Sequence, residues 1–163
     1  MTTEPRWLSD DEQALWRLIL RAIRKIERRM DEVVMAEGDL SVSDFAVLAT
    51  LSEVFDRRLR LRDLCVELDW DRSRTSHLIT RMERRGLVSK KRSAGDARGV
   101  VVQLTEEGFN RLKMAVPGHV ESVRQLIFDH MVEEDKPALY RFFGGVMHSD
   151  HVHGGLPGAV AQS

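Results

Sequence analysis

Apolar residues recur at helical spacing in six segments of the chain, and the longest of these segments comes first. It follows Ser9 and continues for about 25 residues, longer than the usual globular helix. Ser9 stands three residues before Glu12, which predicts a capping box, and the polar residues around Gly38 end the element. Its apolar stripe consists of Leu15, Leu18, Ile19, Ala22, Ile23, Ile26, Met30, Val33 and Val34.

Shorter elements follow between residues 41 and 104. A second capping signal at Ser41 precedes one helix, and "RLRLRDLCVEL" predicts an extended start and then another. Asp71 is a good N-cap for "RSRTSHLITRMER", and Gly86 suits the left-handed residue after it. The β-rich runs "LVSKKR" and "GVVVQL" flank the loop "SAGDAR". Helix, turn, helix and basic hairpin together predict a winged helix-turn-helix.

Two more helices and a tail complete the chain. Thr105 caps a long helix that contains Pro117, where we expect a kink, and a last helix covers about residues 133–147. The fold class is therefore mainly α with a small β-hairpin wing, a winged helix-turn-helix with N- and C-terminal dimerisation helices. We assign residues 1–36 to the first dimerisation helix, 37–104 to the winged DNA-binding lobe, 105–148 to the C-terminal dimerisation helices and 149–163 to a flexible tail.

Charge is distributed unevenly, although the 163 residues sum to −1. Residues 57–98 hold 13 Lys/Arg against 6 Asp/Glu, a local balance of +7. A positive potential concentrated on one module is expected of a protein that binds a phosphate backbone. The excess of basic residues therefore favours nucleic acid as the partner of the winged lobe.

The segment 72–85 is amphipathic when it is drawn as a helix of about 100° per residue. Its apolar side must pack on the preceding helix, while its other side combines arginines with short polar side chains, as a helix in a DNA major groove does. We expect Ser73, Arg74 and His77 near the N-terminus to read bases, and Arg81 either bases or phosphates. Arg84 and Arg85 are expected to touch phosphate or stay solvated. The candidate recognition residues are Arg72, Ser73, Arg74, Ser76, His77 and Arg81.

The hairpin supplies a second basic element. Its tip can insert an arginine into a minor groove, and Asp96 stands where it could pair with Arg98 and orient it. We expect the tip to project Lys90, Lys91, Arg92 and Arg98, and the candidate wing residues are these four together with Asp96.

Other function classes find less support. A glycine-rich phosphate loop and a nucleophile elbow are both missing from the sequence, so we expect no enzyme and no required cofactor. A single cysteine, Cys65, lies on an apolar stripe and suits core packing in a reducing compartment. No apolar run spans a bilayer, and the N-terminus lacks a secretory signal, so the cytoplasm is expected.

The stretch "LRDLCVELDWDRSRTSHLITRMERRGLV", the wing motif from Asp96 to Arg98 and the following "LTEEG" resemble the MarR family of bacterial transcription regulators. The resemblance implies an obligate homodimer that binds a near-palindromic operator in double-stranded DNA, with Arg98 in the wing and Arg72 to Arg81 in the groove. It also implies a small-molecule effector that releases DNA, so the expected function is repression. Where members commonly have Thr-Val-Ser-Arg, this chain has "RTSH", so the operator sequence does not carry over.

The residues themselves also indicate a dimer, because two long apolar helical segments at opposite ends of the chain need a partner to cover them.

Alternative functions stay open beside that of an effector-released repressor. Trp16 is a candidate for an effector pocket, although core or dimer packing is favoured. A zinc-responsive regulator would use His148, His151 and His153, a cluster that flexible tails often supply by accident, so no metal is expected. A winged-helix adaptor for proteins is the third alternative.

Overall fold

The computed structural model describes residues 5–93 and 96–149, and the side chains within these ranges other than those of 93–98. The helices are α1 (Asp10–Gly38), α2 (Val42–Glu53), α3 (Leu61–Leu68), α4 (Arg72–Arg84), α5 (Glu106–Leu126) and α6 (Asp135–His148). The strands are β1 (Arg58–Arg60), β2 (Val88–Ser93) and β3 (Asp96–Leu104), and a 3-10 turn occupies Phe128–His130. The predicted fold class, mainly helical with a small β wing, is confirmed.

Side-chain caps define where the helices begin. In α1 the Ser9 hydroxyl accepts the amide N–H of Glu12 at 3.2 Å, and the Glu12 carboxylate accepts the N–H of Ser9 at 2.8 Å. Ser41 and Asp44 form the same reciprocal pair at the start of α2, both at 3.0 Å. Each box satisfies two amides that the first turn leaves unpaired. Both predicted capping boxes are confirmed.

The sheet is antiparallel in the order β1-β3-β2, so the wing hairpin is β2 with β3 and its inner strand also pairs with β1. Val88 is opposite Leu104 and Leu59 is opposite Val102. The short extended start predicted before α3 is therefore the third strand of the wing. It fixes the hairpin to the helix-turn-helix on the side away from the loop.

The core lies inside the winged lobe and continues into the first turns of α5 and the end of α1. Fully buried side chains from all these elements pack in one cluster, which includes Val34, Leu40, Leu48, Leu64, Ile79, Met82, Leu87, Val102 and Ala115. Cys65 belongs to the same cluster and is 9% exposed, so its predicted core position is confirmed. Trp70 packs against the cluster from the turn between α3 and α4.

The end of α5 differs from the expectation. The predicted apolar stripe ran on to Met131, but the helix ends at Leu126, where Ile127 leaves helical dihedrals, and a 3-10 turn follows. Helix α5 continues through Pro117, whose ring nitrogen has no N–H to donate, and the kink expected there stays a prediction. The predicted last helix is confirmed as α6, and none of its residues is buried within the single chain.

Candidate nucleic-acid interface

Helix α4 has one buried and one exposed face, as its sequence pattern predicts. The buried side chains are Thr75, Leu78, Ile79 and Met82. The six candidate recognition residues are all exposed: Arg72, Ser73, Arg74, Ser76, His77 and Arg81. Burial of the apolar side in the core of the winged lobe thus forces the basic and short-polar side outward.

The N-terminus of α4 is fixed by Asp71. Its carboxylate accepts the amide N–H of Arg74 at 2.9 Å, and the Thr75 hydroxyl donates to its carbonyl at 2.8 Å. The predicted N-cap is therefore confirmed. The first turn of α4 carries no acidic side chain. Its positive dipole end and the nearby arginines consequently present an attractive potential to an anion.

A groove of about 250 Å³ runs beside this exposed face. It is lined by Ser43, Trp70, Arg74, Thr75, His77, Leu78 and Arg81. Arg74, His77 and Arg81 therefore share one concave, cationic surface with the N-terminal turn of α2. Ser43 was not anticipated as part of this surface, because its distance along the chain from α4 hides the proximity that the tertiary fold creates.

The wing residues are placed differently from the expectation. Lys90 lies on β2 rather than at the tip, and its ammonium group is 3.1 Å from both a Glu83 carboxylate oxygen and the Thr80 hydroxyl. The amide N–H of Lys90 donates to Glu83 at 2.8 Å. This backbone hydrogen bond is the main reason that the pKa of Glu83 is lowered, with the Lys90 ammonium adding to it. Lys90 thus connects the wing to α4.

The other wing candidates are only partly described. Lys91 donates to the Gln103 side chain at 2.9 Å across the sheet, and Arg92 is exposed. The backbone of Asp96 and Arg98 is in β3. Their side chains lie outside the described part of the structure, so the expected pairing between them stays a prediction.

Arg85 corrects the sequence interpretation, which left it solvated or on phosphate. Its guanidinium donates to the Asp44 carboxylate at 2.7 Å and also to the carbonyl of Asp39. The reason is that α4 ends at Arg84, so Arg85 is the C-cap and its side chain turns away from the exposed stripe. Arg111 of α5 binds the Asp39 carboxylate as well. These four residues join the ends of α1, α2 and α4 to α5.

His119 of α5 also lies where the winged lobe meets the long helices. Its ring stacks on Phe45 of α2 with centroids 4.4 Å apart. Its Nδ1 atom is buried and has no hydrogen-bond partner in the described structure. Burial lowers the pKa of His119, so the ring favours its neutral form.

The remaining candidates are not brought together. Trp16 lies on α1 and is 51% exposed. His148 lies near the carbonyl of Gly144, with Nδ1 at 2.7 Å, whereas His151 and His153 fall outside the described residues. Within residues 5–93 and 96–149, no three His, Cys, Asp or Glu side chains are grouped closely enough for a metal. In the same part of the chain, no helix is both long and apolar enough to cross a membrane.

Comparison with known proteins agrees with this geometry. Residues 29–114 match the family model described as transcriptional regulator SarA/Rot. The crystal structure of Sco3205, a MarR family transcriptional regulator from Streptomyces coelicolor in complex with DNA, is 32% identical; the match covers 94% of this chain and 97% of that one, with a TM-score of 0.86. AbsC, a MarR family regulator from the same organism, is 34% identical over 88% of this chain and 96% of its own, with a TM-score of 0.82.

This chain belongs to the MarR family. A curated relative, the HTH-type transcriptional regulator PecS of Dickeya dadantii, is 31% identical over 126 residues, which are 74% of this chain and 72% of that protein. Membership makes the chain a transcription regulator of winged helix type and not an enzyme.

Proposed function

We propose that this MarR regulator is a homodimeric repressor that binds a near-palindromic site in double-stranded DNA through α4 and the wing. The observation that carries the proposal is the exposed cationic face of α4 beside a groove that Arg74, His77 and Arg81 all line. Arginine can grip a guanine edge with two hydrogen bonds, while Ser73 and Ser76 are short enough to reach bases or phosphates. A dimer seated on such a site would exclude RNA polymerase from it.

Exposed apolar surface at both ends of the chain supports the dimer. On α1 and the segment before it, Trp7 is 85% exposed and Leu18 is 60% exposed. Large apolar side chains after α5 are also exposed within one chain: Phe128, Val132, Tyr140, Phe142, Phe143, Val146 and Met147. Four of them, Phe128, Tyr140, Phe143 and Met147, line a groove of about 590 Å³ between the 3-10 turn and α6. Contiguous apolar surface of this kind marks an interface in a soluble protein. A two-fold dimer would then present two α4 helices to two half-sites.

The proposal includes release of the protein from DNA by a small-molecule effector. The ion pairs of Arg85 and Arg111 with Asp39 and Asp44 connect the recognition helix to the long helices. A ligand that changed the angle between the lobes would therefore shift α4 relative to its half-site. Trp16 stays a candidate residue of the effector pocket, and quenching of tryptophan fluorescence together with loss of DNA binding is the expected response to such a ligand.

The test of the recognition face compares two arginines of the same helix. Arg74→Ala should cost about 1–3 kcal/mol on the preferred DNA site and relax the preference for it over other sequences. Arg84→Ala, the matched control on α4, should leave that preference unchanged. Binding is measured by fluorescence anisotropy on both DNAs. If Arg74→Ala weakened binding equally on every sequence, its role in reading bases would be wrong.

The wing is tested in the same assay. Arg98→Ala should weaken binding to preferred and scrambled DNA by similar factors. It should also reduce the slope of log K against log salt by about 0.9 if its guanidinium meets one phosphate. A variant that loses only the preference for one sequence would contradict the proposed backbone role of the wing.

A further inference from the structure

Helix α1 carries a second cationic face, which the charge balance of the whole chain conceals. Between Gln13 and Met30 there are six Lys/Arg and one acid, Glu27. On a helical projection of about 100° per residue, four of the arginines fall within about 60° of one another. They are Arg17, Arg21, Arg24 and Arg28, and all are exposed. The apolar stripe of α1 lies on the opposite side, so packing against α5 leaves this face open.

The charges on this face are not neutralised by neighbours. Within the described residues, the ion pair found on this segment joins Arg29 to Glu32 at 3.8 Å, and Arg29 lies to one side of the face. Arg17 donates to the neutral side chain of Gln13 at 3.1 Å. A stripe of like charges on one helix is unfavourable to folding by itself. A bound polyanion would remove that repulsion.

The face continues into the groove of the recognition helix. A groove of about 430 Å³ on α1 is lined by Leu18, Arg21, Ala22, Arg24, Lys25 and Arg28. Arg28 also lines a second groove, of about 350 Å³, together with Ser43. Ser43 in turn borders the groove of Arg74 and His77 beside α4. The cationic surfaces of α1 and α4 are thus adjacent through one residue of α2.

Two acidic residues lie at this junction. Glu27 and Asp31 line the middle groove with Arg28. Asp31 is engaged there, because its carboxylate accepts the amide N–H of Val42 at 3.2 Å. The two acids thus reduce the positive potential at the junction, whereas the arginines nearer the start of α1 remain uncompensated.

We propose that the cationic face of α1, defined as Arg17, Arg21, Arg24 and Arg28, is an extension of the DNA-binding surface that contacts the phosphate backbone. The proposal rests on the proposed function, since it assumes that α4 sits on DNA. Arg21 and Arg28 are about 10 Å apart along the helix axis, which matches the axial rise of about three phosphates of one strand. The face contacts no bases, so it adds affinity and salt dependence without adding sequence preference.

The test removes three of these charges and keeps the helix. Arg21→Gln, Arg24→Gln and Arg28→Gln are combined in one variant, because Gln has nearly the helix propensity of Arg. The control variant removes the same total charge from exposed positions elsewhere on α5 and α6, with Lys113→Gln, Arg124→Gln and Arg141→Gln. Anisotropy titrations across salt are made with preferred and scrambled DNA, and the dimer mass of each variant is checked by sedimentation.

The α1 variant should bind at least about tenfold more weakly at physiological salt. Its slope of log K against log salt should fall by about 0.9 for each phosphate that the variant no longer neutralises, with the ratio between the two DNAs unchanged. The control should keep a slope nearer that of the wild type. A wild-type slope in the α1 variant would overturn the proposal while the proposed function stands. Loss of the dimer would overturn it too, because the face would then contact a second copy. A wild-type protein that bound neither DNA would instead refute the proposed function.

Discussion

Replacing Asp44 by alanine tests the junction that joins α4 to α1, α2 and α5. The Asp44 side chain is 6% exposed and its Oδ2 atom accepts two hydrogen bonds, one from the N–H of Ser41 at 3.0 Å and one from the Arg85 guanidinium at 2.7 Å. Asp44→Ala therefore removes half of a capping box and the buried partner of a partly exposed ion pair. Both losses lower the free energy of unfolding.

The magnitude follows from these two interactions. Loss of a cap interaction costs about 1 kcal/mol, and loss of a hydrogen bond to a charged group about 1.5–3 kcal/mol. The Arg85 side chain is 38% exposed, so water replaces part of what it loses. We therefore expect the free energy of unfolding to fall by about 2–3 kcal/mol, at or below the roughly 3–5 kcal/mol for breaking a fully buried pair.

The assay is urea unfolding at one fixed protein concentration, because the stability of a dimer depends on that concentration. Asp56→Ala is the matched control, since Asp56 pairs with Arg58 at the surface, where side-chain exposures are 43% and 58%. It should cost less than about 1 kcal/mol. Combining Asp44→Ala with Arg85→Ala should show coupling of at least about 1 kcal/mol. Additive effects of the two changes, or a cost for Asp44→Ala no larger than that for Asp56→Ala, would refute the reasoning.

Three further predictions concern the core and its edges. Burial lowers the pKa of His119, so its contribution to stability is present above its unfolded pKa, near 6.5, and is lost as the pH falls through its folded pKa. His119→Phe should therefore make the melting temperature less dependent on pH between pH 7 and pH 5. A variant with the same pH profile as the wild type would contradict this. Gly108→Ala should lower the free energy of unfolding by about 1–3 kcal/mol, because the added methyl group would overlap the Leu87 carbonyl. An unchanged free energy of unfolding in urea would contradict this and show that the first turn of α5 can relax. Cys65, buried in the core, should react with a thiol reagent only as fast as the protein opens, so rapid labelling of the folded protein would contradict its core role.

Much of the fold could be predicted because its signals are local. Ser9, Ser41, Asp71 and Thr105 each cap a helix within three residues, so the starts of four helices were readable from short motifs. The burial of one side of α4 followed from its apolar spacing. The end of α5 was not readable, because apolar residues continue through the 3-10 turn with a similar spacing and so preserve the pattern after the helix has ended.

The candidate site was predicted less completely, because its missing parts depend on contacts between distant segments. Arg85 looked like one more exposed arginine until Asp39 and Asp44, more than 40 residues earlier in the chain, were found beside it. Ser43 lines the groove only because the fold brings the start of α2 beside α4. The cationic face of α1 carried a local signal in its own arginines. That signal was missed because all charges outside residues 57–98 were summed together. The sum is negative, although most of the acidic residues in it lie outside α1.

The central claim is that α4 makes this protein a sequence-specific, two-fold reader of DNA. The most direct measurement is selection of bound DNA from a random double-stranded library, followed by anisotropy on the selected and scrambled sequences. We expect an inverted repeat whose half-sites are about one helical turn apart, bound about 10³-fold or more tightly than scrambled DNA. Selection that enriches no motif, with equal affinity for both DNAs, would contradict it.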